Sequence, residues 1–430
     1  MNPFQHGRLR VSDNRRFLQH ADGTPFFYQA DTAWELFHRL TREEMKTYFA
    51  ARASQGFNAV QCVFLAEEDG IRVPNREGHL PLVDEDPTRP NEPYWELVDF
   101  AFDLAASYGI TLAALPTWGD KIVKIWGRGP QVFDDANALA YGKFVGARYG
   151  SRENLIWVIG GDRPTVHEGE DRTDVYRHMA HGIRGSEAFP HLMTFHPMGG
   201  RSSSESWPNE DWLDFHMIQS GHWWYDVRAD EFVDKDYALQ PIKPTLDGEP
   251  CYENHRPFRA IGELKDLSCP AFSDYHVRRA SYWSVFAGGC GITYGCHAVW
   301  QMAAPQFSPV NHPIGTWWQS LDLAGANQLH HLKDLIVGKS YFDRIPDDSV
   351  IAEGRGEGAE TARATRSATG DWALIYIPLP RPIKVDRSKL KEGLAARWFD
   401  PRTGRRTDAV EADGFFHAPT ATDWVLELSA

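Results

Sequence analysis

Two acids in this chain are placed where they could do chemistry. Asp162 closes the run Leu155-Ile-Trp-Val-Ile-Gly-Gly-Asp162, and Glu249 closes Pro244-Thr-Leu-Asp-Gly-Glu249. Each run is a short apolar strand pattern ending on a carboxylate. As strands of one parallel barrel they would set the two acids facing each other across its C-terminal mouth, where barrel enzymes carry their catalytic groups. One carboxyl can then protonate a leaving oxygen while the other attacks the sugar carbon. Side chains alternate along a strand, so Ile156, Val158, Gly160 and Asp162 are expected on one face, and Thr245, Asp247 and Glu249 on one face of theirs. Arg163-Pro164 stops the first run. Taken singly, Asp162 could cap the next turn and Glu249 could pair with a cation. Together, among aromatic strand ends, they point to catalysis. Asp247, a layer deeper, is the kind of residue that holds a neighbour in place, and Glu253, past Pro250, is expected in a loop.

The elements that must position these acids alternate between strand and helix, as a parallel barrel requires. Strands are expected at 25–31, 56–64, 109–119, 155–162, 191–196, 214–222, 244–249 and 291–295. Helices are expected from the capping box Thr41-Arg-Glu-Glu44 onward, at 94–106, at 134–149, at 173–184 and at 273–287. Several of the remaining helices are weakly marked. Residues 8–28 carry turn signals at Asp13-Asn14 and Asp22-Gly23 and read as a hairpin lead-in. The charged, proline-rich loop at about 65–93 lies at the end of the second strand, a position that shapes substrate subsites. After about Ile336 the pattern changes to short strands separated by turns, which reads as an antiparallel sandwich. The expected fold is therefore a (β/α)8 TIM barrel with an N-terminal hairpin over residues 1–336 and a small β-sandwich domain over 337–430.

Composition narrows the function. The chain has 430 residues, a formal charge of −14, and 16 tryptophans. Aromatic rings in that number suit a carbohydrate cleft, since an apolar ring face stacks on a sugar. The negative charge excludes a phosphate-backbone partner, and no apolar run is long enough for a membrane span. Cys62, Cys251, Cys269, Cys290 and Cys296 are odd in number and scattered, which predicts reduced thiols. His196, His222 and His297 end strands but form no HExxH pair, so hydrogen bonding to sugar hydroxyls or to Glu249 is expected and a metal is not. No nucleophile elbow or phosphate-binding glycine loop appears. The first seven residues lack a basic region followed by an apolar one, which predicts a cytoplasmic protein, or a secreted or periplasmic one whose leader has been removed.

Trp157-Val-Ile-Gly-Gly-Asp-Arg163, Gln219-Ser-Gly-His222, Asp247-Gly-Glu-Pro250 with Tyr252-Glu253, Thr293-Tyr-Gly295 with His297 and Trp300-Gln301, and Trp398-Phe-Asp-Pro-Arg-Thr-Gly404 resemble glycoside hydrolase family 140. That is the apiosidase-like barrel family with a C-terminal collagen-binding-type β-sandwich, and the resemblance covers nearly the whole chain. It implies a retaining mechanism with Asp162 as acid/base and Glu249 as nucleophile. The aspartate at the fourth strand departs from the asparagine–glutamate pair usual in the wider clan, but matches this family. Known members release terminal β-linked apiose from pectic rhamnogalacturonan-II. The resemblance and the residues together predict an exo-glycosidase acting on a terminal furanosyl residue of a plant glycoside or pectic oligosaccharide, without metal or organic cofactor. Asp31, Trp34, Trp118, Gln219, His222 and His297 are the expected substrate contacts. Two other readings stand beside it. One is a glycosidase of another specificity, such as an arabinofuranosidase or an endo-acting enzyme. The other is a non-catalytic carbohydrate-binding barrel. Nothing in residues 338–430 suggests a groove for a collagen triple helix.

Overall fold

The computed structural model describes residues 4–430. Met1–Pro3, part of the stretch read for a leader, lie outside the described residues. The lead-in is a three-stranded antiparallel meander of β1 (Leu9–Val11), β2 (Leu18–His20) and β3 (Pro25–Phe26). It is tied to the segment before the seventh core strand by Arg15 Nε donating to Ile242 O (2.9 Å) and Arg16 Nη1 to Tyr237 O (2.6 Å).

The core strands are β4 (Tyr28–Thr32), β5 (Ala59–Val63), β6 (Thr111–Leu115), β7 (Leu155–Gly160), β8 (Met193–His196), β9 (His216–Gln219), β10 (Thr245–Asp247) and β11 (Gly291–Tyr294). All their residues are buried, as strands covered on both faces must be. Six of them form one parallel sheet in the order β8-β7-β6-β5-β4-β11, while β9 and β10 form a separate parallel pair, extended on the β9 side by the antiparallel segment Arg201–Ser202. The ladder lapses on either side of that pair. Single backbone hydrogen bonds take its place: Asp214 N to Met193 O and Cys290 N to Thr245 O, each 2.8 Å. The lapse has a local cause. β10 is three residues long and follows Pro244, which has no N–H to give.

The longer helices are α1 (Arg42–Ser54), α2 (Glu92–Ser107), α3 (Asp135–Tyr149), α4 (Thr173–Arg184), α5 (Ala229–Tyr237), α6 (Asp274–Phe286) and α7 (His330–Val337). The capping box opening α1 forms as expected: Thr41 Oγ1 accepts from Glu44 N while Glu44 accepts from Thr41 N. After β8 only a single turn, Ser203–Ser206, stands where a crossover helix would be. Its serines bond the nearby backbone and other side chains instead of extending the helix, with Ser202 Oγ accepting from Ser204 N.

The C-terminal part is a six-stranded antiparallel sheet. Its strands are β12 (Arg344–Pro346), β13 (Arg363–Ser367), β14 (Trp372–Ile377), β15 (Ala395–Phe399), β16 (Arg406–Asp408) and β17 (Trp424–Ser429), in the order β12-β13-β14-β17-β15-β16. The second layer of the expected sandwich is fragmentary. It consists of the ribbons Ile351–Glu353 with Lys384–Val385 and Glu411–Ala412 with Phe415–Phe416, bridged at Ile383 and Phe416. Alternation along β14 divides its side chains. Ile375 and Ile377 join Trp398, Leu426 and Phe416 in a core of the sheet's own, whereas Trp372, Leu374 and Tyr376 join the main core. On that second face Tyr376 stacks on Tyr282 of α6 with centroids 4.7 Å apart, and Trp283 Nε1 donates to Thr361 O (2.9 Å). A fully buried ion pair, Arg278 Nη2 to Asp423 Oδ1 at 2.9 Å, crosses the same seam. All five cysteines are free thiols. No helix among the described residues is long and apolar enough to cross a membrane.

Candidate active site

A cleft of about 1060 Å³ opens over the C-terminal ends of the core strands, and Asp162 and Glu249 both line it. They reach it by different backbone routes. β7 ends at Gly160. Gly160, Gly161 and Asp162 then take φ values of 98°, 124° and 55°. Strand alternation therefore stops two residues short of the acid, and the expected shared face with Val158 does not set its direction. Both glycines are required sterically. A Cβ on Gly160 would lie 2.4 Å from His196 O, and one on Gly161 would lie 2.7 Å from Gly119 N. The turn is clamped by Gly161 N donating to His196 O and Gly119 N to Gly161 O, each 3.1 Å. Glu249 stands two residues past β10, with Gly248 N and Glu249 N both directed at Ile218 O. Gln61 reaches in from β5 and donates Nε2 to Gly248 O at 2.8 Å. Asp247 accepts from Ser220 Oγ (2.6 Å) and Ser220 N, holding the end of β9 as the sequence suggested.

His196, at the end of β8, joins the two acids. Its Nδ1 accepts from Asp162 N–H at 3.3 Å. A neutral ring accepting there carries its proton on Nε2, which lies 2.9 Å from Glu249 Oε2. The two carboxyls are pushed in opposite directions. Burial raises Asp162 to about 7, with the charge of Glu249 adding to it, against Arg163. Burial also resists ionisation of Glu249, but His196, His222 and Tyr252 outweigh it and hold this acid below its ordinary value. Near neutral pH the site thus pairs a carboxyl that is still partly protonated with one that is ionised, the pairing needed by an acid and a nucleophile.

Trp34, Trp118, Gln219 and His222 line the cleft as expected. Trp34 and Trp118 pack together at 4.9 Å, and both pack on His196. Trp118 Nε1 and Gln219 Oε1, on two residues that line the cleft, are buried without hydrogen-bond partners in the protein. His222 Nε2 lies 3.9 Å from Glu249 Oε1. Asp31 and His297 are not among the described residues that line the cleft. Asp31 faces outward from β4, where its Oδ2 accepts from Arg52 Nε and Tyr48 OH of α1, both at 2.6 Å. His297 sits behind His255 with ring centroids 4.1 Å apart, and its Nε2 lies 3.0 Å from Val310 O. Both are structural, correcting the expectation that they touch substrate. Glu253 is likewise spent on structure, accepting from Tyr294 OH (2.6 Å) and Gly325 N (3.1 Å).

The cleft also contains groups that the sequence did not single out as substrate contacts, among them Glu67, Glu68, Trp126, Arg128, Trp223, His255 and, from a motif already quoted, Tyr252. Glu67 and Glu68 open the long loop that was expected to shape subsites, so their position was legible although they were not singled out. Burial and the neighbouring Glu35 raise Glu68 to about 7, with Arg128 Nε 3.2 Å away. Tyr252 fits because Gly295 carries no side chain; a Cβ there would collide with the Tyr252 ring. The tryptophans divide between roles. Trp95, Trp157, Trp207, Trp212 and Trp283 fill the core, while Trp34, Trp118, Trp126, Trp223 and Trp300 line the cleft. Away from the cleft, His181, Glu210 and Asp211 bring potential metal-ligand atoms within 4.8 Å of one another, but Glu210 already accepts from Arg177 and Trp212.

Parallel strands ending on an aromatic-walled cleft with a split carboxylate pair define a glycoside hydrolase. Known structures agree. A crystal structure of a glycoside hydrolase family 5 protein from Bacteroides vulgatus matches with a TM-score of 0.89 and 32% identity over 100% of this chain and 94% of that one. A second structure, described as a glycoside hydrolase, matches at 0.89 and 31% over 100% and 98%. A structure from Bacteroides vulgatus described as a putative glycoside hydrolase shares the fold, at 0.68 and 16% over 99% and 82%. Residues 12–343 match the family model "Apiosidase-like, catalytic domain", and residues 345–429 match "Putative collagen-binding domain of a collagenase". No curated protein matches the chain. The chain belongs to the apiosidase-like catalytic domain family and is a glycoside hydrolase.

Proposed function

We propose that the protein is a retaining exo-glycosidase that releases a terminal furanosyl sugar, β-linked apiose foremost, from a plant glycoside or pectic oligosaccharide. The observation that carries this reading is the pair itself. Asp162 and Glu249 line one cleft, His196 contacts both, and their proton affinities are displaced in opposite directions. Asp162 protonates the leaving oxygen while Glu249 attacks the anomeric carbon and forms a glycosyl ester. Forming the ester removes the charge of Glu249, and with it one cause of Asp162's raised value. Asp162 is then better suited to take a proton from the water that completes hydrolysis. Trp34 and Trp118 supply a stacking floor, and Trp118 Nε1, Gln219 and His222 meet sugar hydroxyls. The β9–β10 pair completes a closed eight-stranded barrel across its two single hydrogen bonds, and the domain boundary falls near residue 336.

The test is a screen for monosaccharide released from apiosylated plant glycosides and pectic fragments, with arabinofuranosides and pyranosides offered alongside. Apiose as the main product supports the reading. Release of another sugar would move the specificity within the same chemistry. Binding without release from any glycoside would favour a carbohydrate-binding barrel.

A further inference from the structure

Arg163 follows Asp162 directly and is fully buried, between two residues that line the cleft, Asp162 and Trp126. Its guanidinium makes four contacts. Nη1 donates to Asp162 O (2.7 Å) and to Asp162 Oδ2 (3.2 Å). Nη2 donates to Glu67 Oε1 (2.7 Å) and to Trp126 O (3.0 Å). The Trp126 ring lies on the guanidinium face, 4.0 Å away. Trp126 belongs to a strap, residues 124–131, whose carbonyls are pinned from below. Lys124 Nζ donates to Gly127 O and Gly129 O, both 2.8 Å, and Lys121 Nζ donates to Arg128 O at 2.9 Å. Gly127 lets the strap close down, since a Cβ there would sit 2.6 Å from Asp120 and 3.0 Å from Glu67. The strap, the loop after β5 and the turn after β7 therefore meet on one planar cation.

We propose that Arg163 is a positioning residue for Asp162, held by Trp126 and Glu67, so that the strap fixes the direction of the acid. This rests on the reading of Asp162 as proton donor. The bond to Asp162 O locks the left-handed backbone at that residue, and the bond to Oδ2 locks the carboxyl. The other groups facing Asp162 are Glu249 beyond β10, His196 at the end of β8, Glu67 after β5 and Gly199 N–H, which donates to Asp162 Oδ1. Behind Arg163 lies Asp120, itself paired with Lys121. The two facing carboxylates raise the acid, and Arg163 lowers it. Losing the cation should therefore move the alkaline limb of the pH profile upward, while losing the fork should misdirect the proton.

The experiment compares methyl β-apiofuranoside, whose leaving group needs protonation, with the para-nitrophenyl glycoside, whose leaving group does not. Arg163→Met should lose about a hundredfold or more in kcat on the methyl glycoside. It should lose far less on the aryl one, and its alkaline limb should rise. Arg163→Lys should return the limb toward wild type without restoring the methyl glycoside, because a compact ammonium cannot span the four acceptors that the planar fork reaches. Trp126→Ala, at a residue 44% exposed, tests the strap without emptying the core, and should give a smaller effect in the same direction. Equal losses on both substrates with an unmoved limb, in Arg163→Met or, if that variant fails to fold, in Trp126→Ala, would overturn the proposal. Asp162→Ala separates the two ideas. If it keeps activity on the methyl glycoside, the reading of Asp162 falls. If it loses that activity while the Arg163 variants do not discriminate, only the present inference falls.

Discussion

Asp31 and Asp162 stand at the ends of two strands of the same parallel sheet, and the sequence presents them alike. The structure uses them in opposite ways. Asp31 lies within β4, its direction set by the regular pleat, and it turns outward to Arg52 and Tyr48. Burial raises its value, but Arg52, Tyr48 and the backbone oppose that rise. Asp162 lies beyond β7, past two glycines whose left-handed backbone releases it from the pleat and swings it into the cleft. Its burial is reinforced by a like charge. A carboxylate at a strand end becomes a candidate for chemistry when the backbone spends conformational freedom to aim it and when its charge is left poorly compensated.

The largest expected contrast is between replacements at these two positions. Asp162→Asn should lower turnover of a substrate with a poor leaving group by about a hundredfold to ten-thousandfold. Asp31→Ala should leave the turnover of folded enzyme nearly unchanged. It should instead cost about 3–5 kcal/mol of stability, because Arg52 is left buried and unpaired. Denaturant titration alongside kinetics separates the two. If Asp31→Ala abolished turnover without loss of stability, the contrast would fail.

Gly161→Ala probes how the acid is aimed. Its φ of 124° and the blocked space beside Gly119 should cost about 1–3 kcal/mol and reduce activity through Asp162 alone. A wild-type rate on the methyl glycoside would show that the turn does not direct the acid.

Proton affinity gives the subtler tests. With Asp162 raised to about 7 and Glu249 lowered, kcat/KM should be bell-shaped, its alkaline limb near that value. Glu249→Gln removes a charge that raises Asp162, so the carboxyl should titrate lower in that variant, as read by NMR. The same displacement affects stability. A carboxyl raised in the folded state holds its proton more tightly there, so the fold loses stability as pH climbs from the ordinary carboxylate range through about 7. Asp162→Asn should therefore raise Tm relative to wild type above that pH, with the difference shrinking toward acid pH.

Much of the frame was legible because its signals are local. Seven of the eight core strands lie within the expected apolar runs and β4 overruns its own by Thr32 alone, and the helix signals at Thr41, Asp134 and Ser273 produced capped helices. The part of the site carried by strand ends, Asp162, Glu249, Trp118, Gln219 and His222, was legible for the same reason. What alternation could not show was where the pleat stops. It hid the three-residue left-handed turn before Arg163, while the place of Asp31 at the end of an apolar run made it look like a cleft residue. Nor could it show that His297 is screened by His255, from a loop more than forty residues earlier in the chain. Trp126 and Arg128 escaped notice because a strap between strand and helix has no period to read. The sandwich was expected from the spacing of short strands between turns, and spacing does not tell one sheet from two: most of those strands join a single sheet, and its second layer is left to short ribbons.

The central claim is that Asp162 and Glu249 divide the roles of acid/base and nucleophile. The stereochemistry of azide rescue tests it most directly. Glu249→Ala with an activated aryl glycoside should turn over only when azide attacks in the nucleophile's place, giving a glycosyl azide of inverted configuration. Asp162→Ala should form the glycosyl ester on the same substrate, stall for want of a base, and be rescued by azide to a product of retained configuration. Those two opposite products are the result expected here. The same products with the residues exchanged would reverse the assignment, and near-wild-type hydrolysis of the natural substrate by both variants would contradict it.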